Sequence, residues 1–233
     1  MTVEQRVQDL KEFYSLVHVL SDKQDHKVYH LRNKKSGKDI VLRSHTSSYA
    51  IYEELLKISH PNLPFVFDVL ECDDGQIVLE EFIEGLTLAE VMECKKFSRR
   101  EARKIAISIC QALLTLHDRN LIHRDVKPEN VMITNGGRVV LIDFNVTRKI
   151  SHAGKDTVVM GTIGYASPEQ MGLFESDCRT DIYALGILLN VVLTGKHPIE
   201  KIARGRYGRI IRKATSVNPN DRYQTVKKLL WVL

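Results

Sequence analysis

The stretch His123-Arg124-Asp125-Val126-Lys127-Pro128-Glu129-Asn130 decides how the fold of this chain is interpreted. Thirteen residues after Asn130 comes the tripeptide Asp143-Phe144-Asn145. Two short apolar runs, at 131–134 and 138–142, lie between these motifs and flank the turn Asn135-Gly136-Gly137. This pattern predicts a β-hairpin. The open end of such a hairpin brings Asn130 and Asp143 next to each other.

The side chains of these two motifs are the types that phosphoryl transfer requires. Asn130 and Asp143 offer the hard oxygen ligands that Mg²⁺ prefers. Asp125 can accept the proton of an incoming hydroxyl, and Lys127 can neutralise charge that develops on the transferred group. The alternative is a charged loop that holds these types by chance. An eight-residue pattern followed by a correctly spaced second motif is far more specific than that.

On these residues the chain resembles the protein kinase family, and more closely the bacterial serine/threonine protein kinases of eukaryotic type. The segment from Gly161 to Gln170 resembles the end of an activation segment, with Ser167-Pro168-Glu169 where Ala-Pro-Glu is usual. The run Asp181-Ile182-Tyr183-Ala184-Leu185-Gly186 resembles the start of the buried central helix, whose Asp holds the catalytic-loop backbone. Arg222, in Asp221-Arg222-Tyr223, is expected to pair with Glu169.

The resemblance implies an α+β, bilobal fold with a small β-rich N-lobe, one main helix in that lobe, and a mostly helical C-lobe. We expect residues 1–233 to form a single catalytic domain, with the N-lobe at about 1–83, the hinge at about 81–85 and the C-lobe at about 86–233. Apolar alternation predicts strands at 16–20, 27–31, 39–43, 65–71 and 76–82. Helical spacing predicts a first helix that includes Val3, Val7 and Leu10, a second that Thr46, Ser47 or Ser48 caps and that runs to about Ile58, and two more at 86–94 and 99–117.

The resemblance also implies a site. Asp125 is the expected base, Lys127 the expected phosphoryl stabiliser, and Asn130 and Asp143 the expected Mg²⁺ ligands. ATP is the expected nucleotide, with its adenine bonded to the backbone of Glu81 and Ile83. The expected nucleotide-binding residues are Leu20, Val28, Val41, Arg43, Glu81, Ile83 and Met132. Lysine two residues after the base is typical of serine/threonine kinases.

The phosphate-covering loop departs from the family pattern. Its three glycine positions fall on Ser21, Lys23 and His26. Glycine lets a backbone approach phosphate closely, so the loop here is expected to lie higher over ATP. Lys23 or Lys27 could supply a phosphate charge, or both could be merely solvated.

A second departure concerns an ion pair. Arg43 stands where the family has the lysine that binds the α- and β-phosphates, and Ile51 stands where its helix glutamate is usual. Glu80 falls at the gatekeeper position, which is normally apolar or small. A buried carboxylate needs a partner, so one interpretation is an Arg43–Glu80 pair. The other is a one-residue register error that leaves Glu80 exposed.

Several further side chains receive roles from the resemblance. His123 is expected to pack on Phe144, and Thr162 to reach Asp125 and Lys127. Asn145 replaces a glycine and tolerates left-handed backbone angles. Candidate modification sites on the activation segment are Thr147, Ser151 and Thr157, with Arg124 placed to bind a phosphate there. His117, late on a helix, is expected to cap the helix or lie on the surface.

Composition limits the function classes. Apolar residues are 43% and charged residues 27%, as in ordinary globular proteins. No apolar run approaches the ~20 residues of a membrane span. The polar N-terminus lacks the apolar core of a signal peptide, and the four cysteines have no metal or redox spacing. A net charge of +5 without an aromatic-interleaved basic patch does not indicate nucleic-acid binding. We therefore expect a cytoplasmic protein whose partners are protein substrates, with no nucleic acid and no membrane span.

Three functions are compatible with these patterns. The first is an ATP- and Mg²⁺-dependent serine/threonine protein kinase. The second is a pseudokinase, a nucleotide-binding or scaffold module with little or no transfer activity, which the changes at the glycine loop, Arg43 and Glu80 favour. The third is a small-molecule phosphotransferase of kinase-like fold. The Gly161–Gln170 segment argues against this function, because it resembles that of kinases with peptide substrates.

Overall fold

The computed structural model describes residues 1–47, 49–149, 162–172 and 175–233, which form two compact units. The first unit consists of Met1–His60 and Pro64–Ile83, and the second of Pro61–Leu63 and Glu84–Leu233. The first is built mainly of strands and the second mainly of helices. The predicted α+β fold class is confirmed.

The first unit contains one antiparallel five-stranded sheet. Its strands are β1 (Tyr14–Asp22), β2 (His26–Asn33), β3 (Asp39–His45), β4 (Val66–Cys72) and β5 (Gly75–Glu81), in the spatial order β1-β2-β3-β5-β4. All five predicted strands are therefore confirmed. Helix α1 (Val3–Phe13) packs Val3, Val7 and Leu10 against the apolar cluster that includes Leu42 and Ile77. This face of the sheet is covered by the helix that the spacing predicts.

The second helix of this unit, α2 (Ala50–Leu55), is shorter than predicted. It begins after Tyr49, which makes no side-chain cap, and it does not reach Ile58. The predicted cap Thr46 instead donates its hydroxyl to the Asp25 carbonyl, 3.3 Å away, so this side chain is directed to the turn before β2. The candidate cap Ser48 lies outside the described residues.

The second unit contains two small sheets and five helices among the described residues. The strands are β6 (Gly85–Thr87), β7 (Leu121–Ile122), β8 (Val131–Thr134), β9 (Val139–Leu141) and β10 (Arg148–Lys149), ordered β6-β8-β9 and β10-β7. The helices are α3 (Leu88–Cys94), α4 (Arg99–His117), α5 (Cys178–Thr194), α6 (Arg206–Ala214) and α7 (Val226–Val232). The prediction for α4 is confirmed, whereas α3 begins two residues later than predicted. Leu86 pairs with Ile133 in β6–β8 instead of starting that helix.

Helix α5 forms the centre of the second unit. Ile182, Ala184 and Leu185 are buried on different faces of it. Gly186 allows α6 to approach closely, because a Cβ there would lie 2.8 Å from the Cβ of Ala214. Helix α5 is thereby enclosed by its neighbours, as the resemblance to a buried central helix implies.

The predicted Glu169–Arg222 pair is confirmed as a buried bidentate ion pair. Arg222 donates from its two terminal nitrogens to the two carboxylate oxygens of Glu169, at 2.5 and 2.9 Å. Both residues are at most 2% exposed. Thr180 at the start of α5 donates to the same carboxylate at 3.1 Å, and Tyr183 places its ring 4.8 Å from the guanidinium carbon. Glu169 is therefore joined both to Arg222 and, through Thr180, to the central helix.

We predict that Arg222→Leu lowers the free energy of unfolding by about 3–5 kcal/mol, because it leaves the Glu169 carboxylate buried without its cation. Urea denaturation measures the change. The control Arg212→Leu, at an exposed position on α6, is expected to change it by less than about 0.5 kcal/mol. Equal effects of the two variants would contradict a structural role for the pair.

Candidate active site

The predicted hairpin around the turn at 135–137 is confirmed by the pairing of β8 with β9. At its open end the Ile142 amide donates to the Asn130 carbonyl at 2.9 Å, so the segments that carry Asn130 and Asp143 lie side by side. Asn62 supports the hairpin through hydrogen bonds to β9. Its side-chain amide donates to Val139 O at 2.7 Å, and its carbonyl accepts from Leu141 N at 2.9 Å. No pattern in the sequence indicates this role of Asn62.

The backbone before the candidate base is held by a buried carboxylate. Asp181 Oδ2 accepts from the His123 amide at 3.0 Å, and Oδ1 accepts from the Arg124 amide at 2.8 Å. The anchoring role expected of Asp181 is therefore confirmed. Burial by itself would raise the pKa of Asp181, but hydrogen bonding, with the His117 contact first, outweighs it and lowers that pKa. The anchor is a charged group inside the protein.

The prediction for His117 is wrong. Its Nε2 lies 2.8 Å from Asp181 Oδ2, and its side chain is only 11% exposed. The residue neither caps α4 nor lies on the surface, because the last turn of α4 faces the first turn of α5. His117 thus positions the anchor that holds the loop.

Two loop residues adopt left-handed backbone angles. Arg124 and Asp143 both have φ of 68°, a region that costs non-glycine residues energy and that clusters at functional sites. Asn145, which tolerates such angles, does not adopt them, because the chain turns two residues earlier at Asp143. Asn145 instead donates its backbone amide to Asp143 Oδ1 at 3.3 Å.

Asp125 lies at the centre of a hydrogen-bonded cluster. Its Oδ2 is 2.7 Å from Lys127 Nζ and accepts from the Asn130 side-chain amide at 2.8 Å. Its Oδ1 accepts from the Thr162 hydroxyl at 2.7 Å, and that hydroxyl in turn accepts from Lys127 at 2.7 Å. The predicted reach of Thr162 is confirmed. Three side chains therefore fix the orientation of one carboxylate.

Electrostatics keep this carboxylate ionised. Burial would raise the pKa of Asp125, but the hydrogen bonds from Lys127 and Thr162 lower it below its ordinary value. Burial lowers the pKa of His123, so this imidazole is neutral at pH 7. Its ring meets Phe144 edge-on with centroids 5.3 Å apart, as predicted, and its Nε2 lies 3.2 Å from the Ile142 carbonyl. His123 is therefore a packing residue and Asp125 the candidate base.

Asn130 and Asp143 present oxygens suited to Mg²⁺. The Asn130 amide nitrogen is bound to both the backbone carbonyl and the carboxylate of Asp125, which leaves Oδ1 as its ligand atom. Asp143 adds a carboxylate on the adjacent segment. Mg²⁺ is typically held by one or two such groups together with substrate phosphates. Among the described residues, no cluster of three or more His, Cys, Asp or Glu side chains could hold a metal.

The predicted Arg43–Glu80 pair is confirmed in the first unit. Arg43 Nε donates to Glu80 Oε1 at 2.6 Å, and the residues are 8% and 3% exposed. They lie on the adjacent strands β3 and β5, where Val41 faces Glu80 in the register. Ile51, at the position of the usual helix glutamate, is buried and apolar. The pair therefore forms within the sheet.

The other residues of the first unit that the resemblance assigns to nucleotide binding lie on or beside β1, β2, β3 and β5. Val28, Val41 and Ile83 are buried, whereas Leu20 is 52% exposed. The Glu81 amide donates to Phe65 O at 2.8 Å, so the candidate adenine-binding group of Glu81 is its carbonyl. In the second unit, Met132 pairs with Thr87 and Val140 in the three-stranded sheet.

The turn between β1 and β2 is short and lysine-rich. Lys23 donates its amide to His26 O at 3.0 Å, which closes the turn where the family has its glycine loop. Lys27 is exposed and its Nζ lies 3.1 Å from Asp22, whereas Lys23 is exposed without a side-chain partner among the described residues. The structure favours the solvated interpretation for Lys27.

One of the three candidate modification sites lies in the part of the chain that the structure describes. Thr147 lies in the described part, where its hydroxyl donates to the His123 carbonyl at 3.4 Å. Ser151 and Thr157 lie outside the described residues.

No described helix is long and apolar enough to cross a membrane.

A strand-rich unit and a helix-rich unit, with an anchored loop and a hairpin in the second, are the architecture of a protein kinase domain. The profile of the protein kinase domain matches residues 18–230. The chain belongs to the protein kinase family.

Relatives among bacterial kinases agree with this assignment. The probable serine/threonine-protein kinase PknB of Corynebacterium glutamicum is 41% identical over 153 residues, which cover 62% of this chain and 24% of that protein. A probable serine/threonine-protein kinase of Clostridium perfringens is 33% identical over 222 residues, which cover 84% of this chain and 32% of that protein. The serine/threonine-protein kinase PknB of Mycobacterium tuberculosis is 31% identical over 204 residues, which cover 74% of this chain and 33% of that protein. The aligned part is thus about a quarter to a third of the length of these relatives.

We predict that Arg43→Met lowers the free energy of unfolding by about 3–5 kcal/mol, because Glu80 then stays buried without its cation. Adding Glu80→Leu is expected to recover most of that loss, since an apolar pair of similar volume is well tolerated in a core. Urea denaturation of both variants gives the comparison. Arg32→Met, which breaks the more exposed contact with Asp39, is the control and should cost about 1 kcal/mol or less. A double variant no more stable than Arg43→Met would contradict the argument.

Proposed function

We propose that this chain is a serine/threonine protein kinase that transfers the γ-phosphoryl group of ATP to protein hydroxyls, its own included. The observation that carries the proposal is the oriented Asp125 carboxylate, which Lys127, Asn130 and Thr162 hold from three sides. Phosphoryl transfer asks mainly for positioning and charge stabilisation, which is what such a cluster supplies. We further propose that residues 1–233 act as one catalytic domain with a hinge at about 81–85.

Each residue of the loop receives a role in this proposal. Asp125, ionised at neutral pH, accepts the hydrogen bond of the substrate hydroxyl and then its proton. Lys127 neutralises charge on the transferred group, and Thr162 keeps both side chains in register. Asn130 and Asp143 would hold Mg²⁺, which when bound neutralises the phosphate oxygens.

The first unit supplies the nucleotide-binding residues in this proposal. Val28 and Val41 offer apolar surface to adenine, and the Glu81 carbonyl and Ile83 amide offer its hydrogen bonds. Arg43 carries the phosphate-binding charge. Guanidinium is a broad, planar fork, so its phosphate contacts differ from those of lysine. The Arg43 side chain is held by Glu80, which supports a fixed position for this charge.

The cytoplasm is the proposed location. All four cysteines are free thiols, as expected of a reducing compartment. Burial raises the pKa of Cys110 to about 12, so this thiol is an unreactive packing group. Cys110 thus has no part in the proposed chemistry.

We predict that Asp125→Asn lowers transfer of labelled phosphate from Mg·ATP to a generic basic protein by about 10²–10⁴-fold, since it removes the base. Asp118→Asn, the same chemical change at an exposed position, is the control and should retain transfer. Transfer that survives Asp125→Asn would contradict the proposed role. Wild-type protein that ATP stabilises thermally but that transfers nothing would be a nucleotide-binding module and not a kinase.

A second prediction concerns the pKa of Asp125. This group has a folded-state pKa below its ordinary value, so it contributes stability above the unfolded pKa that is lost as pH falls through the folded pKa. Thr162→Val removes one of the two hydrogen bonds that lower the pKa, so the carboxylate should protonate at a higher pH. The ¹³C shift of the Asp125 carboxyl carbon, assigned by its absence in Asp125→Asn, reports the titration. Thr115→Val on α4 should leave it unchanged, and an unchanged titration in Thr162→Val would refute the assignment.

A further inference from the structure

A cavity of about 710 Å³ lies in the second unit, away from the catalytic loop. Three segments form it: the end of α3 and the start of α4, at 92–99; the C-terminal end of α5, at 191–195; and the chain that leads into α6, at 201–207. We call it the basic cavity. Its volume is in the range of sites that bind a ligand or a few side chains.

The charged residues that line the basic cavity all carry the same sign. They are Lys95, Lys96, Arg99, Lys201 and Arg204, and all five are exposed. Lys95 pairs with Glu101 at 2.7 Å, just outside the lining. The side chains of the other four contact no carboxylate of the described residues. A cluster of cations without counter-charges raises the local concentration of anions.

The floor of the basic cavity is apolar. Val192 is buried there, and the neighbouring Val191 and Leu193 are half-buried. Phe97 and Tyr207 add two half-buried rings at its sides. Cations around an apolar floor suit an occupant that has both carboxylates and a large apolar side chain.

A hydrogen bond connects the chain just after the cavity to the segment that carries Thr162. Directly after the cavity segment that ends at Gly195, the His197 Nε2 lies 2.8 Å from the carbonyl of Gly164. Two residues before Gly164, the Thr162 hydroxyl bonds to Asp125. The basic cavity is therefore joined through His197 to the segment that would present a hydroxyl to the base.

We propose that the basic cavity docks an acidic segment of the protein substrate that also carries a large apolar residue. The identification of the occupant as a kinase substrate rests on the proposed function, but docking itself does not require phosphoryl transfer. A polypeptide fits better than a nucleic acid, because the floor is made of aliphatic side chains that suit an apolar side chain, and the rings of Phe97 and Tyr207 lie only at its sides. Charge complementarity of this kind determines specificity and the rate of association.

Binding can be tested without catalysis. The probe is a fluorescent peptide in which glutamates flank a leucine and a phenylalanine, and anisotropy is measured with the full chain. Lys96→Glu/Arg204→Glu should weaken binding by about tenfold or more, and added salt should weaken wild-type binding. Lys35→Glu/Lys228→Glu changes the net charge equally at exposed positions outside the cavity and should bind as wild type does. Replacing the leucine and phenylalanine of the peptide by serine should also weaken binding.

Equal affinity of the cavity and control variants, with both folded by circular dichroism, would overturn the proposal. So would single-stranded DNA or anionic vesicles that displace the peptide more effectively than unlabelled peptide does.

A kinetic experiment separates this proposal from the proposed function. A threonine peptide is compared with the same peptide joined to the acidic segment, and the joined peptide should have a lower KM only when the cavity is intact. Binding without transfer to either peptide would refute kinase function and leave the docking site standing. Transfer with equal KM for both peptides, and no binding of the probe, would refute the docking site alone.

Discussion

The buried carboxylate of Asp181 is the constraint on which the catalytic loop depends. It accepts hydrogen bonds from two successive backbone amides, at His123 and Arg124, immediately before Asp125. Arg124 is held there with a left-handed φ of 68°. Such a conformation persists only where the surroundings over-determine it. The loop therefore derives its shape from helix α5, and the candidate base inherits the rigidity of the core of the second unit.

The Arg43–Glu80 pair shows how two departures from a family pattern offset each other. Because Ile51 stands where the family has its helix glutamate, an apolar residue at position 80 would leave the buried Arg43 cation without the Glu80 carboxylate, which is costly. Together they form a pair between adjacent strands whose register is set by the backbone. Glu80 Oε2 is buried with no hydrogen-bond partner among the described residues. Burying this oxygen without a hydrogen bond costs desolvation free energy. Holding the Arg43 charge in place is a role that offsets this cost.

Local patterns allowed most of the fold and the site to be predicted, whereas long-range packing did not. The hairpin after Asn130 follows from turn chemistry within fifteen or so residues, and β-branched alternation predicts the sheet strands. The contact of His117 with Asp181 joins positions 64 apart in the chain, and no periodicity encodes it. Thr46 does not cap α2 because its hydroxyl bonds to another turn, at Asp25. The basic cavity assembles three separate segments, each of which has an ordinary composition.

The position of the ion pair bears on how such a domain can be controlled. In the family, the pairing of a strand lysine with a helix glutamate makes the helix position a switch. Here the carboxylate comes from β5 and Ile51 cannot replace it, so movement of α2 neither makes nor breaks the pair. The contacts of Asp125 also depend on a second segment, because Thr162 lies 37 residues after Asp125 in the chain. Displacement of Thr162 would remove a hydrogen bond from the candidate base and from Lys127 at once.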